Sequence, residues 1–373
     1  MTPMSPPSAI VVGAGIVGAA CAESLAESGC HVTVLEAAFP GAGATATAMG
    51  HLVAMDDSEA QFALTTFSRR LWEERVPSLP PEVEDDACGT LWVAADEEEM
   101  AIVRRKAAFY EARGERAEVL DAAALREAEP QLRPGLAGAL LVPGDRVLYP
   151  PAAARCLLEA AQRRGAEAWT GLRVDAIEPG RVRCCSGRTL EADVVVNAAG
   201  AEAPHLTPAL PIAPRKGHLV ITDRYPGFLR HQVVELGYLK SAHTLTRESV
   251  AFNVQPRKTG QLLVGSSREL VGWDRTINRA LQARMLRRAA EYLPGLPHLR
   301  ALRSWVGFRP ATPDHLPLVG MWEPGLWVAA GHEGLGVTTA PGTGRLLADL
   351  VLGRTPPLDP APYDPRRPMP AHA

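Results

Sequence analysis

A glycine-rich segment, GAGIVG at residues 13–18, constrains the fold of this chain more than any other feature of its sequence. The apolar run at residues 9–12 before it predicts a buried strand, and the alanine-rich run after it predicts a helix. Residues 31–35 predict a second strand, which Glu36 follows directly. A strand, a glycine turn, a helix and a second strand in this order predict a β-α-β unit with parallel strands.

The three glycines and the acidic residue of this unit predict a dinucleotide site. Gly13 permits the tight turn from strand to helix, Gly15 lets the backbone approach a pyrophosphate, and Gly18 lets the helix pack against the strand. The phosphates would lie at the helix N-terminus, where backbone N–H groups favour negative charge. Glu36 lies 18 residues after Gly18 and is placed to accept hydrogen bonds from ribose hydroxyls. Its charge disfavours the 2′-phosphate of NADP.

Three further loops of small residues favour FAD over NAD. Residues 41–51 are rich in Gly, Ala and Thr, so a ligand can lie close against their backbone. Residues 197–200 follow a predicted buried strand, and residues 331–338 follow another and begin the last predicted helix, whose N-terminus suits an anionic flavin edge. Such separated loops suit an extended FAD better than NAD. The residues expected to contact FAD are Gly13, Gly15, Ile16, Val17, Glu36, Ala44, Thr45, Ala46, Gly50, His51, Val174, Gly200, Gly334, Gly336, Val337 and Thr338.

The elements predicted for the nucleotide-binding unit are dispersed along the chain. A helix and strand within 151–170, and buried strands at 193–197 and 326–330, would extend the first β-α-β unit into one sheet. The intervening segments predict amphipathic helices and strands, with a hairpin at residues 258–260. We therefore expect an α/β chain whose Rossmann-like FAD-binding domain is interrupted by an α+β substrate domain with a mixed or antiparallel sheet. The expected boundaries are 1–84, 146–210 and 303–373 for the FAD-binding domain, and 85–145 and 211–302 for the substrate-binding domain.

The composition is that of a globular protein and argues against several classes of function. Hydrophobic residues make up 46% and charged residues 22% of the chain, and the net charge of −3 gives no electrostatic reason to bind nucleic acid. Residues 2–22 are uncharged, but they contain three prolines and three glycines and lack a basic start, so we expect neither a membrane span nor a signal peptide. The six cysteines match no CxxC pattern, so we expect no metal site and a cytoplasmic location.

The chain resembles the FAD-dependent amine and amino-acid oxidoreductases that include D-amino-acid oxidase, glycine oxidase and sarcosine oxidase. The resemblance covers nearly the whole chain and rests on the opening motif with Glu36, ATAT at residues 44–47 and VVNAAG at residues 195–200. The segment WVGFRPATPDHLPLVG at residues 305–320 and the closing loop from Gly331 complete it. The resemblance implies the two-domain fold, FAD as cofactor and the oxidation of an amine or amino acid.

Within this family, residues 50–58 and 238–243 are most similar to bacterial D-hydroxyproline dehydrogenases. That resemblance implies oxidation of cis-4-hydroxy-D-proline or D-proline to a cyclic imine, with hydride transfer to flavin N5. Two alternatives stay open, a glycine or sarcosine oxidase-like enzyme and a flavin-bearing subunit of a hetero-oligomeric amino-acid dehydrogenase. The electron acceptor is also open between oxygen, a quinone and another carrier. Peripheral association with a respiratory chain and an oligomeric state are both compatible with the sequence.

An amino-acid substrate needs a fixed cation for its carboxylate, and Arg309 is the candidate. Its planar guanidinium can bind both carboxylate oxygens, and the resemblance implies this role for the arginine of the motif. Tyr238 is expected to bind the carboxylate or cap the pocket, and Lys240 shares a strand face with it. His51 and His332 are placed to line the flavin face. We thus expect Arg309, Tyr238 and His51 to be catalytic, and Arg309, Tyr238, Lys240 and His332 to bind substrate, with a purely structural role as the alternative for each.

Two further observations concern the ligands. Some sarcosine-oxidising relatives attach flavin through a cysteine in the stretch that corresponds to residues 307–309, where this chain has Gly, Phe and Arg. We therefore expect FAD to be bound non-covalently. Asn253 and Gln255 share a face of a predicted strand, from which they could meet a hydroxyl on the substrate ring.

Overall fold

The computed structural model of the protein describes residues 6–237 and 248–370. Within these ranges the strands are β1 (Ser8–Val12), β2 (His31–Glu36), β3 (His51–Leu52), β4 (Thr90–Ala94), β5 (Glu118–Asp121), β6 (Gly138–Val142), β7 (Arg146–Val147), β8 (Glu167–Thr170), β9 (Val174–Glu178), β10 (Arg181–Cys184), β11 (Thr189–Glu191), β12 (Val194–Asn197), β13 (Ala213–Arg224), β14 (Gln232–Glu235), β15 (Glu248–Pro256), β16 (Gln261–Glu269), β17 (Ala301–Ala311), β18 (Leu318–Glu323) and β19 (Leu326–Ala330).

The α-helices of the same ranges are α1 (Ile16–Glu27), α2 (Ala44–Thr47), α3 (Glu59–Arg75), α4 (Glu97–Glu111), α5 (Ala122–Ala128), α6 (Pro150–Arg163), α7 (Ala203–Leu206), α8 (Arg279–Tyr292) and α9 (Gly336–Val351). Single 3-10 turns lie at Val76–Ser78, Pro81–Val83, Gly200–Glu202, Leu296–His298 and Ala361–Tyr363. None of the helices in the described part of the chain is long and apolar enough to cross a membrane.

The first β-α-β unit begins a six-stranded sheet with the strand order β18-β19-β12-β1-β2-β8. Neighbouring strands are parallel except β18, which runs antiparallel to β19 at one edge. Both faces are covered, so the strands are apolar on both sides. Val11 and Val196 belong to the core beneath helices α1, α6 and α9, whereas Ile10 and Leu35 face the three-stranded sheet β9-β10-β11. This arrangement confirms the predicted Rossmann-like unit.

The second large sheet has eight strands in the order β17-β13-β16-β15-β14-β4-β6-β5. Its neighbours are antiparallel except β14 and β4, which are parallel, so the predicted mixed sheet is confirmed. Helix α8 packs on one face through Met285, Ala289 and Tyr292, and the Tyr292 ring stacks on Phe252 with ring centroids 4.6 Å apart. The opposite face carries the polar side chains of the candidate site.

The edge strand β17 does not lie in the domain that the sequence predicts for residues 303–311. It pairs along β13 from Ala311 opposite Ala213 to Ala301 opposite Thr222, so it belongs to the eight-stranded sheet. The boundary expected at residue 303 therefore lies inside a strand. The motif at residues 305–320 runs from β17 directly into β18 of the other sheet, so one continuous motif spans the change of sheet. We propose a boundary after Ala311, and we retain the others, which fall between the two large sheets.

Candidate active site

A cavity of about 1210 Å³ lies between the six-stranded and the eight-stranded sheets, and we call it the large cavity. One wall is formed by residues at the carboxyl ends of β1, β2, β12 and β19, and the other by residues of β13 and β17. Ligands of open α/β sheets bind outside the carboxyl ends of the strands. The topology therefore makes the large cavity the candidate cofactor site.

The N-terminus of α1 opens into the large cavity. Gly13, Gly15, Ile16 and Val17 line it, and the N-cap residue Gly15 has no side chain to cap the helix. Gly13 has a φ angle of +107°, and a Cβ atom there would lie 2.7 Å from the carbonyl oxygen of Ala198. Only glycine fits this turn. The helix end is an anion site of the kind that holds a pyrophosphate.

Glu36 lies at the end of β2 and is only 9% exposed. Its Oε2 atom accepts a hydrogen bond from the Ala14 amide at 2.7 Å, and its Oε1 atom accepts one from the Ala38 amide at 2.7 Å. These bonds fix the carboxylate at the wall of the large cavity. Each carboxylate oxygen has a second lone pair, so the group can still accept hydrogen bonds from a ribose.

Helix α2 begins after Gly43 and brings Ala44 and Thr45 to the wall of the large cavity. The hydroxyl oxygen of Thr45 accepts a hydrogen bond from the Ile16 amide at 3.0 Å. The second loop is thereby tied to the first turn of α1. Ala46 lies on the same short helix but does not line the cavity.

Gly50 and Thr338 were also expected to contact FAD, but neither lines the large cavity. Gly50 has a φ angle of +95°, and a Cβ atom there would lie 2.0 Å from the carbonyl oxygen of Leu148. The Thr338 hydroxyl donates to the His51 carbonyl oxygen at 2.8 Å and accepts from the Val53 amide at 3.3 Å. Both residues therefore hold β3, the strand that brings His51 into the cavity.

The other expected cofactor contacts line the large cavity. They are Val174, Gly200, Gly334, Gly336 and Val337. Helix α9 begins at Gly336, and no side chain caps its N-terminus. A second helix N-terminus therefore faces the cavity, where it favours negative charge on a ligand.

A smaller cavity of about 100 Å³ adjoins the large one, and we call it the small cavity. His51, Asn253, Arg309, His332 and Glu333 line both cavities, so these residues mark the junction between them. The strands of the eight-stranded sheet form the floor of the small cavity, since Trp92, Gln232, Val234, Asn253 and Arg268 all line it. A small ligand in this space can reach a cofactor in the large cavity.

Arg309 lies on β17 at the junction. Its Nη1 atom donates a hydrogen bond to the carbonyl oxygen of Ser267 at 3.1 Å. Gly217 on β13 makes room for this side chain, because a Cβ atom at position 217 would lie 2.3 Å from Nη1. The guanidinium therefore has a fixed place where a substrate carboxylate can pair with it.

His51 is a neutral imidazole at the junction. Its Nδ1 atom lies 2.5 Å from Oε1 of Gln232, and its Nε2 atom lies 3.4 Å from Nδ2 of Asn253. Burial is the main cause that lowers the pKa of His51 to about 4, and the charges of Arg309 and Arg257 add to this effect, whereas the Gln232 hydrogen bond opposes it. At pH 7 the ring carries no charge.

His332 is 4% exposed and opens the loop before α9. Its Nε2 atom lies 3.0 Å from the Thr343 hydroxyl oxygen, and burial lowers its pKa to about 3. It is therefore also neutral at pH 7. Tyr238 and Lys240, the two other predicted substrate contacts, lie outside the described residues.

Glu333 lies at the junction as well, and the sequence analysis did not identify it. Arg215 Nη1 donates to Oε1 of Glu333 at 2.8 Å, and His315 Nδ1 lies 2.9 Å from Oε2. Burial alone would raise the pKa of Glu333, but the His315 hydrogen bond and the charges of Arg268 and Arg215 lower it to about 2. An acid enclosed in the glycine loop at residues 331–334 is the signal that could have identified it.

These features fit an extended flavin dinucleotide. The large cavity has two helix N-termini whose N-cap residues provide no side-chain cap, the Glu36 carboxylate, and open space at position 200, where an added Cβ atom would meet none of the described residues within 4 Å. In residues 6–237 and 248–370, no group of three or more His, Cys, Asp or Glu side chains could hold a metal ion.

Comparison with known proteins agrees with this geometry. The sequence model of the family described as FAD dependent oxidoreductase (DAO) matches residues 8–350. The chain belongs to this family. FAD is therefore the cofactor of this DAO-family protein, which is an FAD-dependent oxidoreductase that acts on amino acids.

Two relatives illustrate the range of the DAO family. Glycine oxidase of Geobacillus kaustophilus is 31% identical over 374 residues, which cover 95% of this chain and 95% of that protein. Hydrogen cyanide synthase subunit HcnC of Pseudomonas aeruginosa is 28% identical over 407 residues, which cover 95% of this chain and 94% of that protein.

Solved structures show the same architecture. Glycine oxidase from Geobacillus kaustophilus superposes with a TM-score of 0.87 at 30% identity, covering 98% of this chain and 99% of that one. L-proline dehydrogenase from P. horikoshii superposes with a TM-score of 0.87 at 25% identity and covers 97% of each chain.

Proposed function

We propose that this enzyme oxidises a D-amino or cyclic imino acid, cis-4-hydroxy-D-proline or D-proline, to the imine. The observation that carries the proposal is the position of Arg309, which lines both cavities at their junction. An amino acid whose carboxylate pairs with Arg309 would occupy this junction. Bound FAD supplies the acceptor, flavin N5, for the hydride that leaves the α-carbon.

The electrostatics of the junction support a carboxylate ligand. Arg309 and Arg268 both line the small cavity, and His51 and His332 are neutral there. Two acids, Asp57 and Glu333, line it as well, and Glu333 is paired with Arg215 and His315. A carboxylate at Arg309 can form two charge-assisted hydrogen bonds to a planar fork. Arg309 would thus hold the substrate and orient its α-carbon. Tyr238 and Lys240 remain proposed substrate contacts.

The size of the small cavity supports a small substrate. A cavity of about 150 Å³ holds a benzene molecule. The small cavity has about 100 Å³ and opens into the large one at the junction, so a single five-membered ring suits it better than a bulky side chain. D-proline and cis-4-hydroxy-D-proline meet this limit.

The second candidate is a glycine or sarcosine oxidase-like activity. A relative named glycine oxidase aligns with 95% of the chain, and its crystal structure superposes with a TM-score of 0.87. A small cavity accepts glycine as well as a ring. The identity of 31% leaves room for a different side-chain preference.

The third candidate is a flavin-bearing subunit of a larger amino-acid dehydrogenase. The relative HcnC is named as a subunit of hydrogen cyanide synthase. In this case electrons would pass from the flavin to a partner chain. We propose a cytoplasmic location for the protein. Oxygen, a quinone and another carrier stay open as the electron acceptor. A quinone acceptor would involve peripheral association with a respiratory chain.

Anaerobic reduction of the flavin tests these candidates. The purified protein is mixed with D-proline, cis-4-hydroxy-D-proline, L-proline, glycine and sarcosine in turn, and bleaching of the flavin absorbance is followed. We expect the two D-imino acids to reduce the flavin fastest. Fastest reduction by glycine or sarcosine would establish the second candidate instead. If no amino acid reduces the flavin although dithionite still bleaches it, the result would favour the partner-dependent subunit.

A further inference from the structure

Two residues that line the small cavity each carry a buried polar atom without a hydrogen-bond partner in the described part of the chain. Across the described ranges, no donor reaches the Oδ1 atom of Asn253, and no acceptor reaches the Nε1 atom of Trp92. Asn253 is 7% exposed and Trp92 is 3% exposed. A buried polar group that lacks a partner destabilises the protein, so such atoms on residues that line a ligand cavity are candidates for hydrogen bonds to the ligand.

The two residues belong to one row across the sheet. Val234 on β14 is opposite Trp92 on β4 and opposite Asn253 on β15. Residues that are opposite one another share a face of the sheet, and all three line the small cavity. Neighbouring strands are about 4.8 Å apart, so the backbones of Trp92 and Asn253 are separated by about 10 Å. This row has an acceptor at one end, a donor at the other and an apolar side chain between them.

A chain of hydrogen bonds fixes Oδ1 of Asn253 as the acceptor. Gln232 Nε2 donates to the Thr90 hydroxyl oxygen at 3.4 Å, so Gln232 presents Oε1 to His51. The Nδ1–H group of His51 donates to this oxygen, which leaves a lone pair on Nε2. Asn253 Nδ2 donates to that lone pair at 3.4 Å. The amide oxygen of Asn253 is thereby left for a ligand.

We propose that this row of residues recognises the substrate. Asn253 accepts a hydrogen bond from the substrate amine, and Trp92 donates a hydrogen bond to a hydroxyl oxygen on the substrate ring. The inference rests on the proposed function and narrows it to small cyclic imino acids with a ring hydroxyl. Asn253 and Arg309 both line the junction of the two cavities, where the proposed function places the substrate amine. Trp92 lines only the small cavity, where the far side of the ring would lie.

A pair of isosteric acids tests Asn253 without turnover. Pyrrole-2-carboxylate has an N–H group where furan-2-carboxylate has an oxygen atom, and the affinity of each can be measured from the change it causes in flavin absorbance. The holoenzyme should bind the pyrrole acid about tenfold more tightly. Asn253→Leu should bring the ratio of the two affinities, pyrrole acid to furan acid, close to one. Asn253→Asp, which keeps an acceptor, should retain the preference.

Gln255 was expected to be able to meet the substrate ring together with Asn253, but it lines neither cavity and donates instead to the Met49 carbonyl oxygen. Gln255→Leu is therefore the matched control, a change of a buried amide on the same strand. It should leave the ratio unchanged. An unchanged ratio in Asn253→Leu, or failure of both acids to perturb the flavin of the wild-type protein, would overturn the role of Asn253. Because this readout requires no oxidation, it is separate from a failure of the proposed reaction.

Gln232 is a positioning residue in this account, since it acts through His51. Gln232→Leu should remove the fixed Nδ1–H tautomer of His51, seen by nitrogen-15 NMR of the imidazole, and should lower the pyrrole-to-furan ratio. Gln232→Glu, which keeps an acceptor for Nδ1–H, should restore both. Loss of the ratio without any change in the tautomer would contradict the chain of hydrogen bonds.

Trp92→Phe tests the other end of the row. We expect the ratio of kcat/KM for cis-4-hydroxy-D-proline to that for D-proline to fall about tenfold, with D-proline little affected, because only the hydroxylated ring uses the indole N–H. If neither compound is oxidised, the ratio of their dissociation constants serves as the readout. A ratio equal to that of the wild-type protein in Trp92→Phe would refute the role of Trp92.

Discussion

Arg309 reaches across strand β13 to Ser267, and its Nη1 atom lies 3.1 Å from the Ser267 carbonyl oxygen. The strand that it crosses has Gly217 at this point, with no side chain in the way. The proposed carboxylate anchor, Arg309, thus keeps its position because Gly217 has no side chain.

We therefore expect Gly217→Ala to impair substrate binding. The added Cβ atom would lie 2.3 Å from Nη1, so the guanidinium of Arg309 must shift away from its place beside Ser267. The change should lower kcat/KM for amino acids by about tenfold or more, since one hydrogen bond to a charged group contributes about 1.5–3 kcal/mol. FAD content, measured from absorbance, should stay the same.

Gly237→Ala is a suitable control for that variant. Among the described residues its added Cβ atom would meet nothing closer than 3.5 Å, and Gly237 lines neither cavity. Equal activity losses in the two variants would show that the effect does not pass through Arg309.

Glu36→Lys should weaken FAD binding. The substitution replaces a carboxylate that accepts from the Ala14 and Ala38 amides and lines the cavity with a longer cationic donor. We expect the purified variant to contain substantially less than one FAD per chain. Glu36→Gln keeps one acceptor oxygen and should retain most of the cofactor. Full flavin occupancy in Glu36→Lys would contradict the ribose assignment.

Much of the fold and part of the site could be predicted from the sequence because the signals are local. The glycine segment and Glu36 lie within one β-α-β unit, and Arg309 lies in a recognisable motif. The pairs that build the junction are not local. Arg215 and Glu333 are separated by 118 residues, and His51 and Asn253 by 202, so only the register of the strands brings them together.

Two of the expected cofactor contacts, Gly50 and Thr338, do not line the large cavity, and both have a structural role that explains this. Gly50 and Thr338 occur in loops of small residues that look like ligand-binding loops in the sequence. In the structure their small size or hydroxyl group serves close backbone packing at Leu148 and β3. A sequence pattern identifies a loop that approaches a ligand, but it does not tell which residues of the loop point toward it.

Non-covalent FAD can be tested by acid precipitation. Residues 307–309 contain no cysteine, and no cysteine lines either cavity in the described part of the chain. The yellow colour should therefore stay in the supernatant when the protein is precipitated with acid. Flavin that remains in the washed pellet would show a covalent bond.

The buried histidines should make stability depend on pH. The pKa values of His51 and His332, about 4 and about 3, lie below the ordinary value of 6.5, so the unfolded chain binds these protons more readily. Above about pH 6.5 the two neutral histidines do not lower the free energy of unfolding. As the pH falls from 6.5 toward 4, the free energy of unfolding decreases because the unfolded chain takes up these protons first. At pH 5 each should cost about 2 kcal/mol of the free energy of unfolding.

Urea unfolding at pH 7 and pH 5 with saturating FAD measures this loss. The His332→Asn variant should lose less stability between the two values than the wild-type protein, because one of the two titrating groups is gone. Equal losses in both proteins would show that His332 does not titrate in this way.

The most direct test of the account is the effect of Arg309→Leu on substrates with and without a carboxylate. For D-proline we predict a fall in kcat/KM of about 100-fold or more, with partial recovery in Arg309→Lys and unchanged FAD content. For pyrrolidine, which has the same ring and amine but no carboxylate, kcat/KM should change little. If Arg309→Leu stays yellow and folded and oxidises D-proline within a few-fold of the wild-type rate, Arg309 does not bind the carboxylate and the account is wrong.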